Sequence, residues 1–320
     1  MKLSVVITTY NRLTLLQRAI HSVLNQTIPC ELVVADDCSV DGTQEYLKRL
    51  SAELSSYENV PRLIYHRNEV NKGHAATVNA GVLACSGDWI KFLDDDDYLA
   101  PNCLEEMAKA LALRENAVIC SCVAAQVSID GVEQCRTPVV GPGLAYYVPQ
   151  ADIHYGMLLE LVPFGTPVQV ACKREVFLKT GGWDVRLTSC DDIDSWIRIA
   201  QYGDAVFLNQ CLAYRTIWSG GIDQKISLKV RLDTNILMKE KIYALVNEKY
   251  REDILPFEDI KNYLKLHWTI VALQSKNINS FMKIVEPCVL SWQAWRLLID
   301  AFLTRRLKKY NSCIRKFVLI

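Results

Sequence analysis

A short apolar run that ends in four consecutive aspartates constrains this fold more than any other stretch. Residues 89–93, Trp-Ile-Lys-Phe-Leu, predict a short buried strand, and the aspartates at 94–97, called the acidic cluster below, follow it directly. Four adjacent carboxylates repel one another. A hard divalent cation such as Mg²⁺ or Mn²⁺, which prefers oxygen ligands and shares them with substrate phosphates, would offset that repulsion. The alternative is an acidic surface turn that water solvates.

Strand and helix patterns alternate in the residues before the acidic cluster. Apolar runs predict strands, and apolar residues at helical spacing predict helices between them. The predicted strands are residues 3–9, 31–35, 62–66 and 89–93, and the predicted helices are about 15–25, 42–54 and 74–85. This order predicts an α/β fold with a mostly parallel sheet.

Polar segments follow three of the predicted strands. They are residues 8–12, Asp36 with Asp37, and the acidic cluster. Ligands of parallel α/β sheets bind outside the carboxyl ends of the strands. We therefore expect the three segments to converge in one crevice.

Composition limits the class of protein. The 320 residues are 50% hydrophobic and 22% charged with a formal net charge of zero, which is a globular composition and argues against a general nucleic-acid binder. The 12 cysteines include no Cys-x-x-Cys pair, so we interpret them as reduced thiols of a cytoplasmic protein. No signal peptide is visible, because residues 3–9 already form the first predicted strand, and no run approaches the ~20 apolar residues of a transmembrane helix.

The three polar segments belong to a larger ordered set of short motifs that resembles the motifs of a known family. The members of the set are Thr8-Thr9-Tyr10-Asn11-Arg12, residues 33–43, Asn71-Lys72-Gly73 with Asn79-Ala80-Gly81, residues 92–97, Gly181-Gly182-Trp183-Asp184, and Asp191-Asp192-Ile193-Asp194-Ser195-Trp196-Ile197-Arg198. Together they resemble glycosyltransferase family 2, whose members are inverting, nucleotide-sugar-dependent enzymes of the GT-A (Rossmann-like) fold. The resemblance covers about residues 1–220. It departs at Cys38, where the family usually has Gly or Asn, and at Asp191, where Glu is commoner.

The resemblance implies a two-part catalytic domain, and the sequence after it predicts a helical appendage. Residues 1–101 would be the nucleotide-sugar half of a catalytic domain over 1–222, and residues 102–222 the acceptor half. Residues 223–320 would form the appendage, because helices are predicted over about 228–250, 258–274 and 290–307.

The resemblance assigns donor-side roles to the first half. The base, uracil or an equivalent, would be held by Thr8, Tyr10 and Asp37, with Asp37 accepting from a ring N–H. Asp96 would bind Mn²⁺ or Mg²⁺ directly, Asp94 would bind it more distantly or through water, and Asp95 would lie near the ribose. Arg12 would belong to the nucleotide site, and Lys72 or Asn71 would reach the phosphates or the base, unless Lys72 is a solvated loop residue.

The acid pair at 191–192 matches the family's acceptor-side signature. Asp192 would be the general base that takes the proton of the acceptor hydroxyl, with Asp191 beside it. If residues 192–202 are helical, the helix N-terminus would lower the pKa of Asp192, and the alternative role is an N-cap. Trp183, Asp194 and Trp196 would contact the acceptor, although both tryptophans could equally be core. Two lone histidines, His74 and His154, are interpreted as structural.

A loop over residues 214–221 would close beside the metal. The family often has a His in this loop, and this sequence has Trp218, which puts a late metal ligand in doubt.

The function predicted from these residues is a metal-dependent inverting glycosyltransferase. It would move a sugar from a nucleoside diphosphate, for which we expect UDP, to a saccharide or lipid-linked hydroxyl in cell-surface polysaccharide biosynthesis. The alternatives are a sugar nucleotidyltransferase, which should have a Gly-rich basic phosphate loop near the first strand, and a non-catalytic nucleotide- or carbohydrate-binding protein. Residues 8–12 contain no glycine, and both the metal and base candidates are present.

The C-terminal residues 288–320 combine aromatic and aliphatic side chains with basic ones. Residues 296–320 contain seven Lys or Arg against one Asp. This pattern predicts peripheral contact with the cytoplasmic face of a membrane, and the alternative is a helix that packs on the enzyme or on a second copy. The sequence leaves a homo-oligomer open.

Overall fold

The computed structural model describes residues 1–55, 61–218, 226–274 and 291–306, with the backbone alone for residues 300–306. Contacts divide the chain into two compact units. The first is residues 1–150 with 164–218, and the second is residues 151–163 with the chain from 219 onward. The domain boundary expected near residue 222 stays a prediction.

The first unit begins with the predicted alternation of strands and helices. The elements are β1 (Leu3–Thr9), α1 (Leu13–Leu24), β2 (Glu31–Asp36), α2 (Thr43–Leu54), β3 (Arg62–Arg67), α3 (His74–Ala84) and β4 (Trp89–Asp94). β1 pairs in parallel with β2 and β4, and β2 pairs in parallel with β3. The α/β prediction is confirmed, and the predicted bounds are correct to about two residues at each end.

The remaining strands of this unit extend the same sheet. They and their helices are β5 (Tyr98–Leu99), α4 (Cys103–Ala112), β6 (Ala117–Val127), β7 (Glu133–Arg136), β8 (Ala145–Val148), β9 (Val170–Lys173), α6 (Arg174–Lys179), α7 (Asp191–Ile199) and β10 (Asp204–Thr216), with α5 (Gln150–Leu158) between β8 and β9. The main path through the sheet is β3-β2-β1-β4-β9-β6-β10-β5. β9 is antiparallel to both β4 and β6, and β10 is parallel to β6. The carboxyl ends of β1, β2, β4 and β10 therefore lie along one border of the sheet, called the carboxyl edge below.

Burial explains why the first strands carry continuous apolar runs. Every residue of β1 and of β2 is buried, as expected for parallel strands covered by helices on both faces. The helix α3 approaches β1 closely at Gly81, where an added Cβ would lie 2.5 Å from Cγ1 of Val6. This close approach packs α3 on the middle of β1, and Asp37, which accepts from the N–H groups of Lys72 and Gly73, holds the residues before α3 at the carboxyl edge.

The second unit is helical in its described residues. It contains α5 from residue 151 onward, α8 (Leu228–Leu245), α9 (Phe257–Gln274) and α10 (Trp292–Arg306). The helix predicted over 228–250 ends earlier, and a 3-10 helix, Glu248–Asp253, follows it. The ring of Tyr155 stacks on Tyr250 at 4.0 Å, and Nζ of Lys239 donates a 2.8 Å hydrogen bond to the carbonyl of Leu158. These contacts attach residues 151–163 to the later helices.

No helix among the described residues combines the length and the apolar character that crossing a bilayer requires. No disulfide joins the cysteines in the same ranges.

Candidate active site

Register brings the first polar segments together at the carboxyl edge. Thr8 of β1 lies beside Asp94 of β4 on one side and beside Ala35 of β2 on the other. The hydroxyl of Thr8 donates to Oδ1 of Asp94 at 3.2 Å, and the backbone N–H of Asp37 donates to the carbonyl of Thr9 at 2.9 Å. The predicted convergence of these segments is confirmed.

Two aspartates of the acidic cluster, Asp95 and Asp97, are buried and hydrogen-bonded within the fold. Asp95 accepts hydrogen bonds from the hydroxyl of Thr9 at 2.8 Å and from Nη1 of Arg12 at 3.0 Å. Burial raises the pKa of Asp95 to about 7, although Arg12 opposes that rise. Asp97 accepts from the backbone N–H of Thr216 at 2.8 Å, and burial raises its pKa well above the ordinary value.

The other two aspartates are more exposed and keep one oxygen each outside these contacts. Side-chain exposure is 25% for Asp94 and 15% for Asp96. Asp94 uses Oδ1 to accept from Thr8 and from His74, whereas Asp96 uses Oδ2 to accept from Arg12 at 3.3 Å and from Nε1 of Trp218 at 2.9 Å. Asp94 Oδ2 and Asp96 Oδ1 are therefore the candidate ligand atoms for a cation.

The chemistry of this donor set fits a hard divalent cation that is shared with a ligand. In the described part of the chain, no group of three or more His, Cys, Asp or Glu side chains is arranged to hold a metal by itself. Two carboxylates suit Mg²⁺ or Mn²⁺ only when phosphate and water oxygens complete the coordination. The site is thus compatible with a metal that arrives with a diphosphate.

Asp37 organises the loop before α3. Its side chain is 4% exposed, and it accepts from the backbone N–H groups of Lys72 and Gly73 and from the amide of Asn68, each at 2.8 Å. Of these three hydrogen bonds, Oδ2 accepts only the one from Gly73. A carboxylate oxygen can accept two hydrogen bonds. Asp37 therefore retains capacity for one further donor, as its predicted role toward a base requires. Tyr10 directly follows Thr9, whose carbonyl accepts from the N–H of Asp37, and the side chain of Tyr10 is 46% exposed.

His74, predicted to be structural, lies in the candidate site. Its Nε2 is 2.9 Å from Oδ1 of Asp94, and its Nδ1 is 3.8 Å from Oδ2 of Asp191. Burial would lower the pKa of His74, but Asp94 and Asp191 raise it well above the ordinary value. The signal available in the sequence was its place directly after Gly73, at the same sheet edge as the acidic cluster.

The acid pair at 191–192 begins α7, which ends at Ile199 rather than at the predicted residue 202. Burial first, and then the neighbouring Asp191, raise the pKa of Asp192 to about 7. The prediction of a lowered pKa was wrong. The N-terminus of a short helix contributes less than the desolvation of the carboxyl group and the repulsion from a second carboxylate beside it.

The predicted acceptor contacts of Trp183, Asp194 and Trp196 are also corrected. Each side chain is at most 1% exposed, so none of them can touch an acceptor in this conformation. The two indole rings pack on Phe92 at centroid distances of 5.8 and 5.3 Å, and Asp194 forms a 2.7 Å ion pair with Arg198. These three residues stabilise the region beneath the site.

The predicted closing loop begins later than residue 214. Residues 214–216 are the end of β10, and the predicted residues 219–221 lie outside the described ranges. Trp218 reaches the acidic cluster through Asp96. The guanidinium of Arg12 lies over its indole ring at 5.4 Å from the centroid.

Comparison with known proteins identifies the family. The model of glycosyl transferase family 2 matches residues 4–181, which is more than half of the chain. The chain belongs to glycosyl transferase family 2. An uncharacterized glycosyltransferase of Haemophilus influenzae is 30% identical to this family member over 200 residues, 62% of each chain. TuaG of Bacillus subtilis, named as a putative teichuronic acid biosynthesis glycosyltransferase, is 27% identical over 67% of this chain and 79% of its own.

Solved structures support the GT-A fold. Residues 1–349 of TarS of Staphylococcus aureus, in complex with UDP-GlcNAc, superimpose with a TM-score of 0.63 at 18% identity, covering 96% of this chain and 85% of that TarS chain. The mannosyltransferase PcManGT of Pyrobaculum calidifontis, in complex with GDP-Man and Mn²⁺, gives a TM-score of 0.58 at 18% identity, covering 99% and 83%. At these identities the likeness shows the fold alone. The chain spans less than two thirds of the length of the Haemophilus relative.

Proposed function

We propose that this protein is a metal-dependent inverting glycosyltransferase that uses a UDP-sugar. The observation that carries the proposal is the meeting of two candidate ligand carboxylates, Asp94 and Asp96, with a carboxyl group of raised pKa, Asp192, at one sheet edge. His74 contacts both Asp94 and Asp191, the neighbour of Asp192, and so links the two groups. Such a pairing suits a reaction that stabilises a leaving diphosphate and removes a proton in the same site.

The nucleotide would lie along residues 8–12 and 37. The exposed ring of Tyr10 offers a face on which a base can stack, and Oδ2 of Asp37 retains acceptor capacity for a ring N–H. Arg12 lies among the carboxylates at the phosphate end of this path, and Asp95 lies beside it. The side chain of Lys72 is exposed at the same edge and would reach a phosphate.

A divalent cation, Mn²⁺ or Mg²⁺, would be held by Asp96 with Asp94 and would supply electrostatic stabilisation to the leaving nucleoside diphosphate. The protein's part is to orient the two carboxylates. Hydrogen bonds from Trp218 and Arg12 fix Asp96, and bonds from Thr8 and His74 fix Asp94. Hydrogen-bonded carboxylate ligands of this kind are the usual arrangement around protein-bound metals.

Asp192 would act as the general base. The acceptor hydroxyl oxygen forms a bond to the anomeric carbon, the bond from that carbon to the diphosphate breaks, and the hydroxyl proton passes to the Asp192 carboxylate. A pKa of about 7 suits this task, since a base works best when its pKa lies near the working pH. One direct displacement inverts the anomeric configuration.

The acceptor we propose is a saccharide or lipid-linked hydroxyl in cell-surface polysaccharide assembly. TuaG carries a name from teichuronic acid biosynthesis, and TarS was solved with UDP-GlcNAc.

We also propose that the protein works at the cytoplasmic face of a membrane. On α10, Trp292, Trp295 and Ile299 are 76%, 37% and 49% exposed and recur at helical spacing, so they form one exposed stripe.

Calorimetry with nucleotides tests the donor assignment. We expect UDP to bind in the presence of Mn²⁺ and to lose most of its affinity when EDTA replaces the metal, with GDP weaker than UDP. Transfer is then followed as UDP release from UDP-glucose, UDP-galactose and UDP-N-acetylglucosamine. Nucleotide binding that ignores Mn²⁺, or preference for GDP, would overturn the metal or the base assignment respectively.

A further inference from the structure

His74 occupies a position between the two carboxylate groups of the site. It is the first residue of α3, and its ring reaches Asp94 at the end of β4 with Nε2 and faces Asp191 at the start of α7 with Nδ1, at 2.9 and 3.8 Å. The ring of His74 therefore lies between the end of β4 and the acid pair at the start of α7.

The ring itself is held from a third direction. Trp183 packs edge-on against it, with 5.2 Å between ring centroids and an interplanar angle of 72°. The backbone of Trp183 is fixed in turn by Asn79 of α3, which donates to its carbonyl at 2.9 Å and accepts from its N–H at 2.8 Å. The position of His74 and that of Trp183, which orients its ring, therefore both depend on α3.

Two side-chain hydrogen bonds anchor the later turns of α7. Nε1 of Trp196 donates to the carbonyl of Gly165 at 3.2 Å, and Nη2 of Arg198 donates to the carbonyl of Gly182 at 2.6 Å. The first turn of α7 follows Cys190, which has a left-handed backbone with φ of 57°. The acid pair lies on that first turn, where Oδ2 of Asp191 is 3.8 Å from Nδ1 of His74, whose Nε2 is 2.9 Å from Asp94.

We infer that His74 is a positioning residue that holds the acid pair at 191–192 in register with the donor-side carboxylates. The inference rests on the proposed function. A base must approach its proton to hydrogen-bonding distance, and a misplacement of about 1 Å can cost on the order of 10²-fold in rate. His74 supplies the contact that sets this register, because it touches Asp94 on one side and Asp191 on the other.

Hydrogen–deuterium exchange on the full chain tests the tie without any substrate. In His74→Ala, amides of the first turn of α7, including the N–H of Asp194 that bonds to the carbonyl of Cys190, should exchange about tenfold faster. Amides at the anchored end, such as that of Ala200, should not change. His21→Ala, which alters an exposed histidine on α1, is the matched control and should leave both sets unchanged. Unchanged exchange at residues 191–194 in His74→Ala would overturn the inference, and so would equal acceleration over all of α7.

Kinetics separate positioning from general structural support. With UDP release from a UDP-sugar as the readout, His74→Ala should lower kcat by about 10- to 10²-fold while KM for the donor changes little. In an Asp191→Asn background the same change should have little further effect on kcat, because the partner through which it acts is already altered. Fully additive losses would contradict the inference.

A conservative variant keeps the test valid if His74→Ala folds poorly. His74→Gln retains an amide donor for Asp94 and cannot reach Asp191 at the same time, so it should restore folding and donor affinity but not kcat. Wild-type kcat in a folded His74→Gln protein would overturn the inference. Absence of any UDP release by the wild type would instead overturn the proposed function, while the exchange result would still decide whether His74 ties the two groups.

Discussion

The indole Nε1 of Trp218 donates a 2.9 Å hydrogen bond to Oδ2 of Asp96. Arg12 bonds to the same oxygen and lies over the indole ring. An indole N–H is a donor only, so this nitrogen cannot ligate a cation in the way that the His often found in this loop of the family could. In this chain Trp218 instead fixes the rotation of the Asp96 carboxylate. Trp218 and Arg12 both donate to Oδ2, which leaves Oδ1 directed away from them.

Replacing Trp218 by Phe should weaken Mn²⁺-dependent UDP binding by about tenfold, the lower end of the effect of outer-shell changes at metal sites. The phenyl ring keeps a surface under Arg12 and removes the N–H. Calorimetry with UDP and Mn²⁺ measures the effect, with Trp292→Phe, an exposed tryptophan on α10, as the control. Equal affinities in the two variants would show that the indole N–H has no part in orienting Asp96.

Asp96 and Asp97 are adjacent carboxylates with different partners, and isosteric substitution should separate them. Asp96→Asn should abolish Mn²⁺-dependent UDP binding while the protein stays folded, because it removes the charge of the best candidate ligand. Asp97→Asn should keep binding, since its amide oxygen can still accept from the N–H of Thr216 and the burial cost of a charge disappears. Calorimetry and thermal unfolding of both variants measure the contrast. Retained Mn²⁺-dependent affinity in Asp96→Asn would rule out the metal assignment.

The sequence predicted the strands well because their patterns are local. β1 and β2 are buried on both faces, so their whole apolar runs and their polar ends are visible in the chain itself. The family motifs then single out Asp94, Asp96 and Asp192 as candidate site residues. The motifs do not show how deeply a side chain is buried. They therefore assign Trp183, Asp194 and Trp196 to the acceptor, although the fold buries all three side chains.

The pKa values in the site depend on contacts between residues that are far apart in the sequence. His74 and Asp191 are 117 positions apart in the chain, and their contact exists only because α3 and α7 meet at the carboxyl edge. Packing also buries Asp192, which is the largest cause of its raised pKa, and brings Asp94 close enough to raise that pKa further. Of the two local effects that the sequence shows, the helix N-terminus lowers the pKa of Asp192 and the adjacent Asp191 raises it.

The pH dependence of turnover should report the raised pKa of Asp192. The base is active when unprotonated, so kcat/KM should rise with pH through about 7 and level off above it. Asp192→Asn should lower kcat by about 10²–10⁴-fold and remove that rise. Asp95 also has a pKa of about 7, so a rise that persists in Asp192→Asn would be assigned to Asp95. If Asp191→Asn is the inactive variant and Asp192→Asn is not, the base is Asp191.

The exposed stripe on α10 predicts binding to anionic membranes. Trp292, Trp295 and Ile299 offer an aromatic and aliphatic surface, and the sequence from residue 296 onward has seven basic residues against one acidic one. Tryptophan is suited to headgroup depth, and each basic residue near an anionic surface contributes about 1 kcal/mol.

Co-sedimentation with vesicles of phosphatidylglycerol and phosphatidylcholine measures this binding. The wild type should pellet with the vesicles at low salt and less at high salt, and truncation at Ser291 should abolish pelleting. The double variant Trp292→Ala and Trp295→Ala should weaken it at every salt concentration, because it removes apolar contact and leaves the charge. Leu113→Ala, an exposed leucine of the first unit, is the control. Equal recovery of the full-length and truncated proteins in the supernatant would leave α10 with a packing role alone.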